Sequence, residues 1–359
     1  MADAYDVVVV GAGTGGYSTA LRAAQLGKRV AIVERDDRLG GTCLLRGCIP
    51  TKALLQSATV MDTVNRAQEW GIKASGDPDW SAVLAFEDKI VDKLVKGVTG
   101  LIKNRGIAVL KGTAKLLAGP ALEVDGTKVD AGDVVIASGS RPRLLPGVEL
   151  TERIITSDEA LRYDRIPSSA VVIGAGAVGL EFASLYRSLG AEVTLLEALP
   201  TLAPLEDEDV SAEIAKAFRR RGIKTAAGAS VKGVTDTGES VDITFEAEGK
   251  ADKITADVCL VAIGRGPVTE GLGLEEAGRQ GLELCHRLPM LSLPLAELIA
   301  QRAKLLEIVP HAVEGRCQPG HRERPHPAHC HLAGRLLRGS RRLRRQWHGG
   351  RRPGGLRAP

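Results

Sequence analysis

Two glycine-rich turns, each set between an apolar run and an amphipathic one, restrict this 359-residue chain more than any other feature. Tyr5 to Val10 reads as a strand. Gly11-Ala12-Gly13-Thr14-Gly15-Gly16 follows it directly and opens a helix running from about Gly15 to Leu26, and Arg29 to Glu34 predicts the next strand. The same succession returns far downstream. Ala170 to Ile173 is the strand, Gly174-Ala175-Gly176-Ala177-Val178-Gly179 the turn, a helix runs to about Leu189, and Glu192 to Glu197 is the second strand. In such a unit the first glycine (Gly11, Gly174) makes a tight turn and the second (Gly13, Gly176) lets a pyrophosphate approach the backbone. The third (Gly16, Gly179) lets the helix pack on the strand. The helix N-terminus then faces the phosphate charge. Glu34 and Glu197 each fall 23 residues after the first glycine, at the end of a strand, where a carboxylate can accept from a ribose hydroxyl. One such turn is weak evidence. Two at matched spacing predict two nucleotide-binding lobes.

Glu197 also bears on selectivity. A carboxylate accepts from a free 2′-hydroxyl and repels a 2′-phosphate, and Ala198 and Leu199 supply no arginine beside it, so NAD(H) is favoured over NADP(H) in the second lobe. Between the turns, Phe86 to Asn104 predicts a long helix with Ile90, Leu94, Val98 and Leu101 on its apolar face. Ala108 to Val134 has the short strands and Gly/Asp turns of a small β segment, and Gly222 to Val261 repeats that character. The expected fold class is α/β, with two Rossmann-like, three-layer lobes built on parallel strands. Pro146-Gly147 and Pro167 mark a boundary region, giving expected domains 1–150, 151–278 and 279–359.

The last of these is set apart by charge. The formal net charge of +4 divides into about −7 before residue 279 and +11 from there on, where 16 basic residues, 15 of them Arg, stand against five Glu. All seven His lie between His286 and His348, and this stretch has no Asp, Phe or Tyr. Pro294 to Val309 reads as one helix, and the remainder as an irregular basic tail with too few apolar residues to offset its ordering entropy. Such a break in composition is what a shifted reading frame or a rearranged end produces. Cys317, His321, His326, His329, Cys330 and His331 are irregularly spaced for a zinc site, and the expectation is no metal. The Arg335 to Arg357 cluster lacks aromatic residues and predicts no specific nucleic-acid partner. With 44% hydrophobic residues and apolar runs no longer than Val7–Val10 and Val258–Ile263, no membrane span is expected. A strand beginning at Tyr5 leaves no room for a signal peptide. Six cysteines in this length make no disulfide framework, so a reducing cytoplasm is the expected compartment.

Two of those cysteines stand out in Gly40-Gly41-Thr42-Cys43-Leu44-Leu45-Arg46-Gly47-Cys48-Ile49-Pro50-Thr51-Lys52. In one helical segment beside a bound cofactor they can form a strained, exchangeable disulfide; by residue type alone they are also compatible with two buried thiols. No second cysteine pair or nearby His completes a zinc site. Cys259, in an apolar strand, reads as core.

Gly40 to Leu55 (GGTCLLRGCIPTKALL) closely resembles the redox-disulfide signature of the dihydrolipoamide dehydrogenases, flavin-dependent E3 components of 2-oxo acid dehydrogenase complexes and members of the class I pyridine nucleotide-disulfide oxidoreductases. The resemblance runs from Tyr5 to about Gly278 and includes Ser138-Gly139-Ser140, Thr156 to Ala160 and Ala262-Ile263-Gly264-Arg265. It implies an FAD lobe and then an NAD lobe. Gly11, Gly13, Gly16, Glu34, Gly41, Thr42, Lys52, Ala114, Ser138, Gly139 and Ser140 are the implied FAD contacts. Gly174, Gly176, Gly179, Glu181, Glu197, Val231 and Gly264 are the implied NAD contacts, with Glu181 near the nicotinamide and able to pair with Lys52. It further implies that Cys43 and Cys48 form the catalytic disulfide, Cys43 as interchange thiol and Cys48 against the flavin. The implied partner is dihydrolipoamide or a lipoyl domain, and the family's members are homodimers. Those members continue into a dimerisation domain with a His-Glu acid–base pair. The sequence after Gly278 does not match it, and His326-Pro327 lacks the Thr and Glu expected to follow, so impaired turnover is the expectation for this chain. A non-catalytic nucleotide-binding remnant and a mercuric or glutathione reductase-like enzyme are the alternatives.

Overall fold

The computed structural model describes residues 5–275 and Ala277, within one compact unit. It opens on the predicted unit: β1 (Tyr5–Val10), α1 (Thr14–Gln25) and β2 (Val30–Glu34). Two helices follow, α2 (Gly41–Arg46) and α3 (Cys48–Asn65), then a 3₁₀ turn and the long α4 (Trp80–Asn104). The chain then makes β3 (Ala108–Lys111), β4 (Ala114–Leu116), β5 (Ala121–Val124), β6 (Thr127–Ile136) and β7 (Ser140–Pro142). The sheet order is β3-β2-β1-β6-β5-β4, its first four strands parallel and its last two a hairpin-linked antiparallel edge. Central β1 has β2 on one side and β6 on the other, so its carboxyl end is a topological switch point, where open α/β sheets bind ligands.

The second sheet repeats the plan. After β8 (Ile154–Ile155) and the one-turn α5 (Ser157–Ala160) come β9 (Ser169–Ile173), α6 (Ala177–Ser188), β10 (Glu192–Glu197), α7 (Glu208–Arg220) and β11 (Lys224–Ala227). An antiparallel meander of β12 (Ser230–Asp236), β13 (Val241–Ala247) and β14 (Lys250–Ala256) leads to β15 (Val258–Val261) and β16 (Arg265–Pro267). The all-parallel order is β11-β10-β9-β15-β8, and β16 pairs with β7 of the first half. Burial of Ala170 to Ile173 in β9 and of all four residues of β15 explains their continuous apolar runs, as expected for a sheet covered on both faces.

The halves share a core. Leu54 and Ala58 of α3 are buried with Phe182, Leu185 and Tyr186 of α6 and with Val172 and Leu260 of the second sheet. Around that core, Arg221 donates to Ser184 Oγ at 2.5 Å and Ser188 Oγ at 2.6 Å, and its Nη2 reaches Asp62 of α3 at 3.3 Å. Trp80 Nε1 donates to the Tyr163 carbonyl at 2.8 Å.

Two expectations about helices are corrected. The long helix begins at Trp80 rather than near Phe86, because Asp79 caps it by accepting from Ala82 N at 3.1 Å. Its buried face is Glu87, Val91 and Ile102, whereas Leu94 and Leu101 are exposed. The apolar stripe of this helix is wide, and its width does not reveal which part of it the neighbouring elements cover. Also, the cysteine segment is two helices, not one. Gly47 separates them, and a Cβ there would stand 2.9 Å from the Thr42 carbonyl oxygen. The readings placed on Pro294–Val309, on the Cys317–His331 group, on His326-Pro327 and on the Arg335–Arg357 cluster lie outside the described residues. Among the described residues no helix is long and apolar enough to cross a membrane.

Glu87 is fully buried against Arg162, whose Nη1 and Nη2 approach its two oxygens at 3.1 and 3.3 Å, while Asp88 shares the same guanidinium. Burial pushes its carboxyl from an ordinary 4.5 up to about 7, with Arg162 offsetting only part. The folded chain therefore keeps a proton that the unfolded chain releases, and this contribution to stability is present below pH 4.5 and lost as pH rises through 7. Between pH 5 and 8, urea unfolding of the parent chain should lose about 1–3 kcal/mol relative to Glu87→Gln, which has no such proton to lose.

Candidate functional site

The first glycine turn is held open by backbone geometry and one carboxylate. Gly11 adopts φ +99°, accessible to glycine without strain, and its N–H donates to the Val33 carbonyl at 2.8 Å. A Cβ on Gly16 would fall inside the Gly11 carbonyl, so the third glycine is what lets α1 descend onto β1. Glu34, buried at the end of β2, accepts from Ala12 N at 2.7 Å through one oxygen and from Asp36 N at 2.8 Å through the other. The second lobe reproduces this. Gly174 has φ +103° and donates to the Leu196 carbonyl at 2.8 Å, and a Cβ on Gly179 would collide with the Gly174 carbonyl. Buried Glu197 accepts from Ala175 N at 2.6 Å and from Leu199 N at 2.8 Å. A carboxylate has about four acceptor positions, so each glutamate retains capacity for ribose hydroxyls.

A cleft of about 480 Å³ opens over the first turn. Gly11, Gly13, Glu34, Gly41, Thr42, Cys43, Ala114, Ser138, Gly139 and Ser140 all line it, although they come from five separated stretches of chain. Gly40 and Gly41 cross the phosphate turn at backbone contact: Gly40 N donates to the Ala12 carbonyl at 3.0 Å, and a Cβ on Gly41 would lie 2.5 Å from the Gly13 Cα. The cleft wall is pinned by Ser138 Oγ donating to the Val268 carbonyl at 2.6 Å and by Thr42 Oγ1 donating to the Ser140 carbonyl at 3.4 Å. Backbone N–H groups at a helix start, two glycines with no Cβ in the way and a carboxylate at the strand end fit a dinucleotide.

Cys43 sits on α2, half-buried, and exposed Cys48 begins α3. Both thiols are free. Burial pushes the Cys48 thiol up, the Cys43 thiol pushes it further, and Lys52, one turn along, pulls it down least of all. Lys52 Nζ lies 2.6 Å from Glu181 Oε1, joining the N-terminal turns of α3 and α6. Cys259 is buried and its thiol is pushed up to about 12, which suits an inert core residue.

The remaining second-lobe residues gather at the carboxyl ends of β9, β10 and β15. Gly264, at φ +109°, follows β15, where Ala262 N donates to the Ile173 carbonyl at 2.7 Å. Gly176 immediately precedes α6 with extended backbone, and Val231 stands in β12 opposite Phe245, two residues beyond Ala229, which donates to the Glu197 carbonyl at 2.8 Å. Sequence reasoning placed the stretch Glu34 to Cys43 at the FAD, and Arg35 and Asp36 of it line the cleft; it missed Gly112 and Thr113, Arg46, Asp158, and the wall formed by Val268 and Leu272. Gly112-Thr113 directly precedes Ala114 and had a local turn signal. Val268 and Leu272 had none, because they return to the cleft about 130 residues after its other wall. Among the described residues no group of three His, Cys, Asp or Glu is placed to hold a metal ion.

Similarity to known proteins fits this geometry. A family model described as pyridine nucleotide-disulphide oxidoreductase matches residues 5–287. The dihydrolipoyl dehydrogenase of Bacillus subtilis (strain 168) is 41% identical over 293 residues, covering 77% of this chain and 61% of the relative. That of Thermus scotoductus is 41% identical over 277 residues, covering 76% and 60%. Among solved structures, the HOCl-induced flavoprotein disulfide reductase RclA from Escherichia coli superposes with a TM-score of 0.66 at 28% identity, over 76% of this chain and 60% of that one. The chain thus spans about three-fifths of the length of these relatives.

Two outcomes are expected. Gly16→Ala should destabilise the fold by about 1–3 kcal/mol in chemical denaturation, since the new methyl has only a backbone carbonyl to displace. In site-resolved iodoacetamide labelling from pH 7 to 10, Cys43→Ala should move the Cys48 profile to lower pH and speed its alkylation at pH 8; an unchanged profile would show that Cys43 does not hold that thiol up.

Proposed function

The chain belongs to the pyridine nucleotide-disulphide oxidoreductase family, and on that premise we propose that it carries the redox half of a dihydrolipoyl dehydrogenase. The reading rests on one observation above all: a pair of cysteines, one of them lining a dinucleotide-shaped cleft, is braced against a second lobe with the same nucleotide turn. Residues 1–150 are assigned to FAD and 151–278 to NAD. Gly11, Gly13, Gly16, Glu34, Gly41, Thr42, Ala114 and Ser138 to Ser140 would hold FAD, with Lys52 at the flavin ring. Gly174, Gly176, Gly179, Glu181, Glu197, Val231 and Gly264 would hold NAD.

In this reading Cys43 and Cys48 are bridged in the oxidised protein. One thiolate of dihydrolipoamide attacks Cys43 Sγ, the Cys43–Cys48 bond breaks, and Cys48 leaves as a thiolate. The second substrate thiolate then attacks the sulfur of the mixed disulfide, lipoamide departs, and Cys43 leaves as a thiolate. The substrate dithiol has been oxidised by two electrons and the cysteine pair reduced by two. Bound FAD would supply a two-electron acceptor able to pass hydride to NAD⁺. The ammonium of Lys52, held by Glu181, favours the thiolate form of Cys48 against the burial that opposes it. Glu197, already engaged with two backbone N–H groups, would accept from the adenosine ribose of NAD and exclude a 2′-phosphate. A lipoyl domain of a 2-oxo acid dehydrogenase complex is the proposed partner, with a homodimer as the proposed assembly and the cytoplasm as its compartment.

Purified protein should be yellow and release FAD on denaturation. It should reduce lipoamide with NADH in preference to NADPH by about tenfold or more. Cys43→Ser should lower that rate by about 10³-fold or more. Assaying glutathione disulfide and Hg²⁺ alongside lipoamide separates this reading from another disulfide reductase. A colourless preparation that binds neither nucleotide would overturn it.

A further inference from the structure

Arg265 ties the second nucleotide turn to the cysteine cleft. Its backbone position is set from the second lobe. Ala262 N donates to the Ile173 carbonyl at 2.7 Å, and Gly174 packs so closely that a Cβ on it would stand 2.5 Å from the Ala262 carbonyl oxygen. From Gly264 the chain enters β16, which pairs with β7 in the register Arg265↔Pro142 and Pro267↔Ser140. The Arg265 side chain then reaches into the first-lobe wall. Nε donates to Ser140 Oγ at 2.9 Å, Nη2 donates to the Ser140 carbonyl at 2.7 Å, and Nη1 stands 3.7 Å from Asp158 Oδ1. The same Ser140 carbonyl accepts from Thr42 Oγ1 at 3.4 Å, and Thr42 is the residue before Cys43. Every guanidinium nitrogen is therefore engaged, and both Arg265 and Asp158 are about three-quarters withdrawn from solvent, where screening is weak. A planar fork can serve two acceptors on one residue and a carboxylate at once; a lysine ammonium offers a single point.

We propose that Arg265 is a positioning residue: through Ser140 it makes the Thr42–Cys43 turn respond to occupancy of the second nucleotide site. The contacts run from the Gly174 turn to Ala262 by backbone packing, along the chain to Arg265, and by hydrogen bonds from Arg265 to Ser140 and from Thr42 to the Ser140 carbonyl, with Thr42 joined covalently to Cys43. This rests on the proposal that the second turn takes a nicotinamide nucleotide. The strut itself is a property of the protein without nucleotide, and the two are separable by experiment.

The test uses the full chain as purified, reduced with dithiothreitol and freed of it. Iodoacetamide labelling of Cys43 is followed by mass spectrometry with and without ADP-ribose, which has the adenine, ribose and pyrophosphate of NAD but cannot accept hydride. Without ligand, Arg265→Met should change the Cys43 labelling rate threefold or more. Arg265→Lys should resemble Arg265→Met, since one ammonium cannot replace the fork. Saturating ADP-ribose should alter the Cys43 rate at least twofold in the parent chain and not in Arg265→Met, although both bind it within threefold of the same affinity. Should Arg265→Met fail to fold, Ser140→Ala, which removes only the Oγ acceptor, must move the ligand-free rate in the same direction. Parent-like Cys43 rates in both Arg265→Met and Ser140→Ala, a retained ADP-ribose response in Arg265→Met, or full rescue by lysine would overturn the proposal. If the parent chain binds no ADP-ribose, the assignment of the second site to NAD fails and the response to occupancy fails with it. The ligand-free rates still decide whether Arg265 positions Cys43.

Discussion

Each lobe hangs on a buried glutamate at the end of its second strand. Glu34 and Glu197 accept a backbone N–H from the middle of their glycine turns, at 2.7 and 2.6 Å, and a second N–H from just beyond their own strands. A buried carboxylate without such donors would be costly, and a glycine turn without the carboxylate would leave a backbone donor unpaired. The two requirements satisfy each other. The glutamate therefore does more than wait for a ribose: it fixes the distance between turn and strand end that any dinucleotide must span.

From these two anchors the helices take their places. α1 and α6 descend from the turns because Gly16 and Gly179 remove the one atom that would hold them off. α3 packs beside α6, with Lys52–Glu181 tying their first turns and Arg221 bridging Asp62, Ser184 and Ser188 further along. Exposed ion pairs of this kind contribute little to stability on their own. Their effect is register, since the helix that begins with Cys48 cannot slide relative to the second lobe without breaking contacts at both ends.

Local signals carried much of this. The paired glycine turns, the strand-ending acids and the cysteine segment each announce themselves through spacing and residue type, because glycine geometry and carboxylate chemistry act over a few residues. The start of α4 was placed near Phe86 although Asp79 offered a cap, and the apolar stripe misled as well: Leu94 and Leu101 face out while Glu87 is buried. Periodicity reports that a helix has an apolar side. Which side is covered depends on α3 and Arg162, which reach it from elsewhere in the chain. The break at Gly47 has a local cause, the approach of the Thr42 carbonyl from one turn earlier, which residue type alone does not announce.

The sequence by itself determined that two nucleotide turns exist, which acid serves each, and that two cysteines stand together after the first, because each of these is decided by neighbours along the chain. Only the tertiary structure decided what closes the cleft. Val268 and Leu272 supply its far wall, Asp158 its side, and Arg265 the strut that joins it to the second turn. Those residues lie up to about 130 positions from what they touch, and β16 pairing back onto β7 brings Arg265 to Ser140. Strand pairing between distant segments is set by the packing of whole sheets, and it leaves no periodic mark on the residues it brings together.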